Sequence, residues 1–113
     1  MITDCRSEAD FDTLLRASQQ RPVLLFKHST GCPISRGAWM RFERFAENND
    51  GYDCRRVLIL EDRPLSDMIS NQTGIPHESP QVILFHGGAA VWNCARHAIN
   101  ETNLTRQLAK LLP

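Results

Sequence analysis

The most restrictive feature of this chain is an unbroken run of four apolar residues, Val23-Leu24-Leu25-Phe26. A strand that is apolar at every position is buried on both faces, which is typical of a parallel sheet covered by helices on both sides. Pro22 precedes the run, and a short loop, residues 27–33, is expected to follow it. The run therefore predicts a central strand in an α/β protein.

Helical periodicity lies on both sides of this strand. Ser7 and Asp10 resemble a capping box, with Asp in place of Glu, and predict a helix near residues 7–20. Pro33 suits the first position of a second helix, which should end near Asn48. A third helix is expected from Pro64 to Gly74, and Asn100 can cap a fourth, with Ile99 and Leu104 at hydrophobic-staple spacing. The second helix should bury Ile34, Ala38, Phe42 and Phe45.

Three more strands complete the expected order. They are residues 57–60, 81–86 and 89–95, the last two joined by a Gly87-Gly88 hairpin turn. The order α-β-α-β-α-β-β-α, with right-handed crossovers, predicts an α/β domain with a mixed four-stranded sheet flanked by helices. Apart from the extra N-terminal helix, this is the order of the thioredoxin fold. We expect one domain over residues 1–113.

Composition excludes several functional classes. The chain has 13 basic and 13 acidic residues, so its formal net charge is zero. That balance gives no reason to expect nucleic acid or an anionic membrane as a partner. No apolar run is long enough to predict a membrane span. The polar N terminus does not resemble a secretory signal, so we expect a cytoplasmic protein.

The four cysteines are Cys5, Cys32, Cys54 and Cys94, and their spacing is wide. Zinc ligands usually come as closely spaced pairs, so no metal site is expected. Two disulfides would need an oxidising compartment, which makes four reduced thiols the favoured reading. We expect Cys54 and Cys94 to be packing residues and Cys5 to be an incidental exposed thiol near a mobile terminus.

Cys32 is the candidate catalytic residue. It lies in Gly31-Cys32-Pro33-Ile34-Ser35, between the buried strand and an amphipathic helix. Free N–H groups and the helix dipole at such a position favour a thiolate, the nucleophilic form of cysteine. The carboxyl edge of the strands is also where ligands bind in α/β sheets. The alternative is an inert, buried cysteine.

Ser35 occupies the position that a second thiol takes in a Cys-x-x-Cys pair. A hydroxyl cannot attack a mixed disulfide, so a disulfide formed at Cys32 must await an outside thiol. The motif therefore predicts a monothiol redox protein. Ser35 could also hydrogen-bond the Cys32 sulfur, and His28, beside the loop, could tune this thiol or serve a structural role.

The second informative segment, residues 75–81, precedes the third strand. It contains His77-Glu78-Ser79-Pro80. His77 and Glu78 could contact the amine, carboxylate or sugar of a small thiol, or belong to a solvated loop. The Ser79 backbone could be offered to an extended substrate, as an edge strand is.

At these two segments the chain resembles the monothiol bacilliredoxins, a thioredoxin-like family with a Thr-Cys-Pro-Ile-Ser motif. The matching stretches are residues 26–35, residues 77–81, Gly88 and Val91-Trp92, within a similarity that extends from about Phe11 to Leu112. Gly31 stands where the family usually has threonine, which removes a side chain beside the sulfur. In this fold the proline equivalent to Pro80 is cis and faces the active cysteine.

The resemblance implies a function. Members of the family remove bacillithiol, a low-molecular-weight thiol, from protein cysteines that it has capped. Cys32 would take the bacillithiol onto itself, and a free small thiol or another reductase would regenerate it. No cofactor is implied, and the expected partners are bacillithiol-capped proteins and the free thiol, in a role of redox homeostasis.

Three alternatives stay open. The small thiol could be glutathione or coenzyme A, because the residues do not name it. Monothiol glutaredoxins with a Cys-Gly-Phe-Ser motif can hold an iron–sulfur cluster, although Pro33 and Ile34 replace Gly and Phe here. A redox sensor that changes partners when Cys32 is capped is the third.

Overall fold

Residues 1–111 are described in a computed structural model of the chain. Strands form at the apolar runs of the sequence, and helices form where apolar residues recur at helical spacing. A 3-10 turn at Arg96–Ala98 precedes the last helix. In chain order they are β1 (Ile2–Asp4), α1 (Glu8–Ala17), β2 (Val23–His28), α2 (Pro33–Asn48), β3 (Asp53–Leu58), α3 (Arg63–Thr73), β4 (Gln81–His86), β5 (Ala89–Ala95) and α4 (Glu101–Ala109). No helix within residues 1–111 is both long and apolar enough to cross a membrane.

The five strands form one mixed sheet with β2 at its centre. The strand order is β1-β3-β2-β4-β5, in which β1, β3 and β2 are parallel and β4 and β5 are antiparallel to their neighbours. Every residue of β2 is buried, because helices cover both of its faces. The expected α/β, thioredoxin-like architecture is confirmed, with one strand more than the four that we predicted.

Alternate residues of β2 point into two separate cores. Leu24 and Phe26 pack against α2 and α4, whereas Val23 and Leu25 pack against α1 and α3. This alternation follows from the twofold period of a strand. The next two residues of β2 continue it, so Lys27 lies on the α3 face and His28 on the α2 face.

Capping residues define the helix starts close to their predicted places. The Ser7 side chain accepts from the Asp10 N–H, and Asp10 accepts in turn from the Arg6 N–H at 2.9 Å rather than from Ser7. Asn100 caps α4 through the Asn103 N–H, and Gly74 ends α3 with a left-handed φ of 74°. The first helix ends at Ala17, three residues earlier than predicted.

Four local predictions were wrong. The N terminus forms a strand, so Cys5 is buried, with 1% of its surface exposed, and its N–H donates to the Arg56 carbonyl. The strand predicted over residues 57–60 is Asp53–Leu58, which leaves Leu60 exposed. The expected loop 27–33 starts two residues late, because Lys27 and His28 belong to β2. Ile34 is 49% exposed, whereas Ala38, Phe42 and Phe45 of the same helix face the core.

Candidate functional site

Cys32 lies where β2 gives way to α2. It is the N-cap of α2, with extended backbone angles (φ −98°, ψ 123°), and Pro33 begins the helix. Its N–H donates to the Ser29 carbonyl at 3.2 Å, and its carbonyl accepts from the Arg36 N–H at 2.9 Å. The side chain is half-buried, and Gly31 before it has no neighbour within 4 Å of where a Cβ would lie. The motif thus places Cys32 at a helix N terminus, beside open space at Gly31.

Ser35 is fully buried and makes two hydrogen bonds on the α2 face. Its Oγ accepts from the Ser29 N–H at 3.0 Å and lies 2.8 Å from Nδ1 of His28. Among the described residues, Ser35 makes these contacts and not the hydrogen bond to the Cys32 sulfur that the sequence allowed. Ser35 therefore fixes the loop before Cys32 to the end of β2.

His28 is held on both of its sides. Its ring stacks on Trp39, with ring centroids 5.3 Å apart, while Nδ1 meets Ser35. Burial first, and the positive charge of Arg56 second, lower the pKa of His28, which keeps the ring neutral at pH 7. Nδ1 of a neutral ring, when it carries no proton, can accept a hydrogen bond that the Ser35 hydroxyl donates. The geometry gives His28 a positioning role for the loop.

The segment 75–80 reaches the same edge of the sheet as Cys32. Gln81, at the start of β4, pairs with Lys27 near the end of β2, which brings the residues before β4 beside the loop after β2. The Ser79–Pro80 peptide bond is cis. The Gln81 amide donates to the Pro76 carbonyl at 3.1 Å, and the Arg96 N–H donates to the Pro80 carbonyl at 3.1 Å.

His77 and Glu78 are both exposed on this segment, and Ser79 is half-buried. The structure therefore brings the two predicted site segments to one edge of the sheet. Their predicted roles in binding a small thiol stay predictions.

The sequence places Lys27 beside the loop as a source of positive potential, but the buried environment of its side chain was not predicted. Its side chain is fully buried on the α3 face, and its Nζ reaches the Ser66 carbonyl at 3.3 Å and the Ser70 hydroxyl at 2.9 Å. A third contact, at 3.4 Å, joins Nζ to Nδ1 of His77. Desolvation lowers the pKa of Lys27 to about 8, and the negative charge of Asp67 opposes that shift. A lysine directly after an apolar run is the one signal that could have indicated it.

The other three cysteines lie in packing positions. Cys5 and Cys54 are buried and lie in the cores on opposite faces of the sheet. Burial is the largest cause that raises the pKa of both thiols to about 11, and burial raises the pKa of Cys94 to about 12. All four cysteines are free. Within residues 1–111, no three His, Cys, Asp or Glu side chains form a group that could hold a metal ion.

Comparisons with known proteins agree with this geometry. A solved structure described as an inferred oxidoreductase with a thioredoxin fold is 32% identical, with a TM-score of 0.86, over 93% of this chain and 91% of that one. Thioredoxin from Fasciola hepatica is 15% identical, with a TM-score of 0.75, over 96% and 97% of the two chains. Thioredoxin from Plasmodium falciparum is 15% identical, with a TM-score of 0.74, over 97% and 99%.

The two thioredoxins are too distant to indicate more than the fold. The model of the monothiol bacilliredoxin BrxC family, by contrast, matches residues 3–104. That match includes both site segments and extends from β1 into α4. The chain belongs to the monothiol bacilliredoxin family and is a thiol–disulfide oxidoreductase that acts on thiol-modified proteins.

Proposed function

We propose that this protein removes bacillithiol from protein mixed disulfides, with Cys32 as the nucleophile. The observation that carries the proposal is the lone Cys32 at the start of α2, with a buried serine in place of a second thiol. The family match supports the monothiol chemistry. Bacillithiol itself, as the small thiol, comes from the family resemblance.

The N terminus of α2 supports Cys32 as the nucleophile. The first turn of the helix contains no acidic residue, so nothing there opposes a thiolate at the N-cap. Thiol–disulfide exchange needs a thiolate that is accessible to the disulfide. Cys32 is half-buried, whereas burial raises the pKa of the other three thiols.

The reaction is a balanced exchange of one disulfide for another. The Cys32 thiolate attacks the bacillithiol sulfur, and the bond between that sulfur and the client cysteine breaks. The client leaves as a thiolate and takes a proton from water. A second thiol then attacks the new disulfide and releases Cys32. Ser35 cannot perform that second attack, so the adduct persists until an outside thiol arrives.

Four free thiols also support a reducing compartment, and we propose the cytoplasm as the location. The partners that we propose are bacillithiol-capped proteins and a free low-molecular-weight thiol.

The test is an incubation of reduced protein with a bacillithiol-capped client, followed by mass spectrometry. We expect a bacillithiol adduct on Cys32 and release of the client, with both lost in Cys32→Ala. The matched control is Cys94→Ala, which should react normally because Cys94 is a half-buried packing residue. An adduct on Cys54 or Cys94, or normal turnover by Cys32→Ala, would show that the nucleophile is wrong.

Parallel incubations with the same client capped by glutathione or coenzyme A identify the small thiol. Turnover with one of those adducts, but not with the bacillithiol adduct, would show that the proposed small thiol is wrong and that Cys32 can still be the nucleophile. Absence of turnover with all three would reject the enzymatic proposal.

A further inference from the structure

The buried ammonium group of Lys27 has its three donors matched by three acceptors. These are the Ser66 carbonyl, the Ser70 hydroxyl and Nδ1 of His77. An ammonium group donates three hydrogen bonds and accepts none. While Lys27 is protonated, Nδ1 of His77 must therefore accept, which is only possible if that nitrogen carries no proton.

This contact selects one tautomer of His77. With Nδ1 unprotonated, the neutral ring carries its proton on Nε2. His77 is exposed, although Lys27 beneath it is fully buried. The ring thus links a buried cation to the surface of the segment before β4, and it presents an N–H donor on the side away from Lys27.

We propose that Lys27 is a positioning residue that fixes His77 so that its Nε2–H donates a hydrogen bond to the small thiol during exchange at Cys32. The inference rests on the proposed function, because that function brings a small thiol to Cys32. A hydrogen-bond acceptor of the small thiol would then lie near His77, at the same edge of the sheet. The acceptor would be a carboxylate or a hydroxyl, the groups that a ring N–H recognises.

Two neighbouring contacts support a fixed donor. The Gln81 amide holds the Pro76 carbonyl immediately before His77, and the backbone of Gln81 pairs with that of Lys27. Lys27 of β2 and Gln81 of β4 therefore restrain two adjacent residues of one segment, Pro76 and His77, from the same edge of the sheet. A donor restrained in this way loses little conformational entropy when it binds a ligand.

The first test reads the His77 tautomer by imidazole ¹⁵N NMR at pH 7, where Lys27 is mostly protonated, on the reduced full chain. We expect unprotonated Nδ1 and protonated Nε2 in the wild type. Lys27→Met keeps the length and apolar stem of the side chain but has no donor, so the variant should show a mixture of tautomers. A proton on Nδ1 in the wild type would overturn the proposal.

The second test separates a fixed donor from a merely structural role. Gln places its amide nitrogen near the position of Nε2, whereas Asn places its amide near Nδ1 and has nothing at Nε2. We expect His77→Asn, which removes the donor, to raise KM for the bacillithiol-capped client about tenfold, as for loss of one hydrogen bond to a charged group. Lys27→Met and His77→Gln each keep a donor near Nε2 but lose the contact between residues 27 and 77, so each should raise KM only about threefold, and kcat should change little in all three variants.

Alkylation of Cys32 by iodoacetamide, a neutral reagent, is the control for an intact nucleophile, and its rate should be the same in all variants. The double variant Lys27→Met/His77→Asn should be no worse than His77→Asn alone, because Lys27 acts through His77. Equal losses in His77→Gln and His77→Asn, or additive losses in the double variant, would overturn the proposal. If the wild type turns over none of the three capped clients, the proposed function fails, and the tautomer experiment alone decides whether Lys27 positions His77.

Discussion

Ser35 shows how one residue sets the chemistry of the site. Its hydroxyl is buried at the second position of a Cys-x-x-Cys spacing and is bonded to His28 and to the Ser29 N–H. A thiol is close to a hydroxyl in size, so the position can accept one without rebuilding α2. The protein is a monothiol oxidoreductase because of a single atom at this position.

Replacing Ser35 by Cys should therefore convert the protein into a dithiol enzyme. We expect the small-thiol adduct on Cys32 to disappear at least ten times faster in Ser35→Cys, because the new thiol displaces the bound thiol intramolecularly. The product should be a disulfide between residues 32 and 35, detected by mass spectrometry after the adduct is formed. Ser35→Ala is the matched control and should retain the adduct. An adduct of unchanged lifetime in Ser35→Cys would contradict this explanation of the monothiol motif.

Lys27 has a second consequence, which concerns stability. Its pKa falls from 10.5 to about 8 in the folded chain because burial disfavours the charged form, and Asp67 and His77 are the titratable groups beside it. Between pH 8 and 10.5 the unfolded chain binds more protons at this lysine than the folded chain does. The free energy of unfolding therefore gains a contribution that grows with pH across this window, on the order of 2 to 3 kcal/mol in total.

Urea unfolding of the wild type and Lys27→Met at pH 7.5 and pH 10 isolates that contribution. The wild type should gain stability relative to Lys27→Met between the two pH values. The raised pKa values of Cys5, Cys54 and Cys94 lower stability above pH 9, but they do so equally in both proteins and cancel in the difference. Parallel pH profiles for the two proteins would show that Lys27 is not desolvated as described.

At the scale of elements, local sequence signals predicted the helix starts correctly, whereas the pairing of strands that are distant in sequence could not be predicted. Helix starts carry their own caps, and for that reason Ser7 and Asn100 could be predicted from the sequence. The strand β1 has only three residues, two of them polar, and it exists because it pairs with β3 about fifty residues later. No pattern within residues 2–4 indicates that they pair with β3, and for that reason Cys5 was wrongly predicted to be exposed.

The cap of α4 gives a test at this scale. The Asn100 side chain accepts from the Asn103 N–H at 2.9 Å and donates to the His97 carbonyl. We expect Asn100→Ala to cost about 1 kcal/mol, which lowers Tm by about 4 °C for a domain of this size. Circular dichroism melting measures it. The exposed first-turn variant Thr102→Ala is the control, and an equal Tm for the two variants would contradict the capping role.

At the scale of the whole molecule, the site is a meeting of segments that are distant in sequence. The position of Cys32 could be predicted because a buried strand, a Cys-Pro pair and an amphipathic helix follow one another directly. The environment of Lys27 could not, since its acceptors come from α3 and from a residue fifty positions later. The position of the proposed nucleophile is therefore specified by local sequence, whereas the polar contacts around it depend on the closed sheet.

Because the closed sheet buries three of the four cysteines more than the fourth, their thiols should react with an alkylating reagent at different rates. A thiol with a pKa of about 11 is ionised in only about one molecule in a thousand at pH 8, and Cys5, Cys54 and Cys94 are at or above that value. Only the thiolate reacts with iodoacetamide, so in the folded protein Cys32 should be alkylated at least a hundredfold faster than the other three.

Peptide mass spectrometry after timed alkylation at pH 8 measures the four rates in one sample. In 6 M guanidinium chloride the sheet is lost, and the four rates should converge to within a few-fold. Fast labelling of Cys94 in the native protein would show that β5 leaves a second working thiol at the surface. If Cys32 were alkylated as slowly as Cys54, its sulfur would be an inert thiol and the mechanism proposed for it would fail.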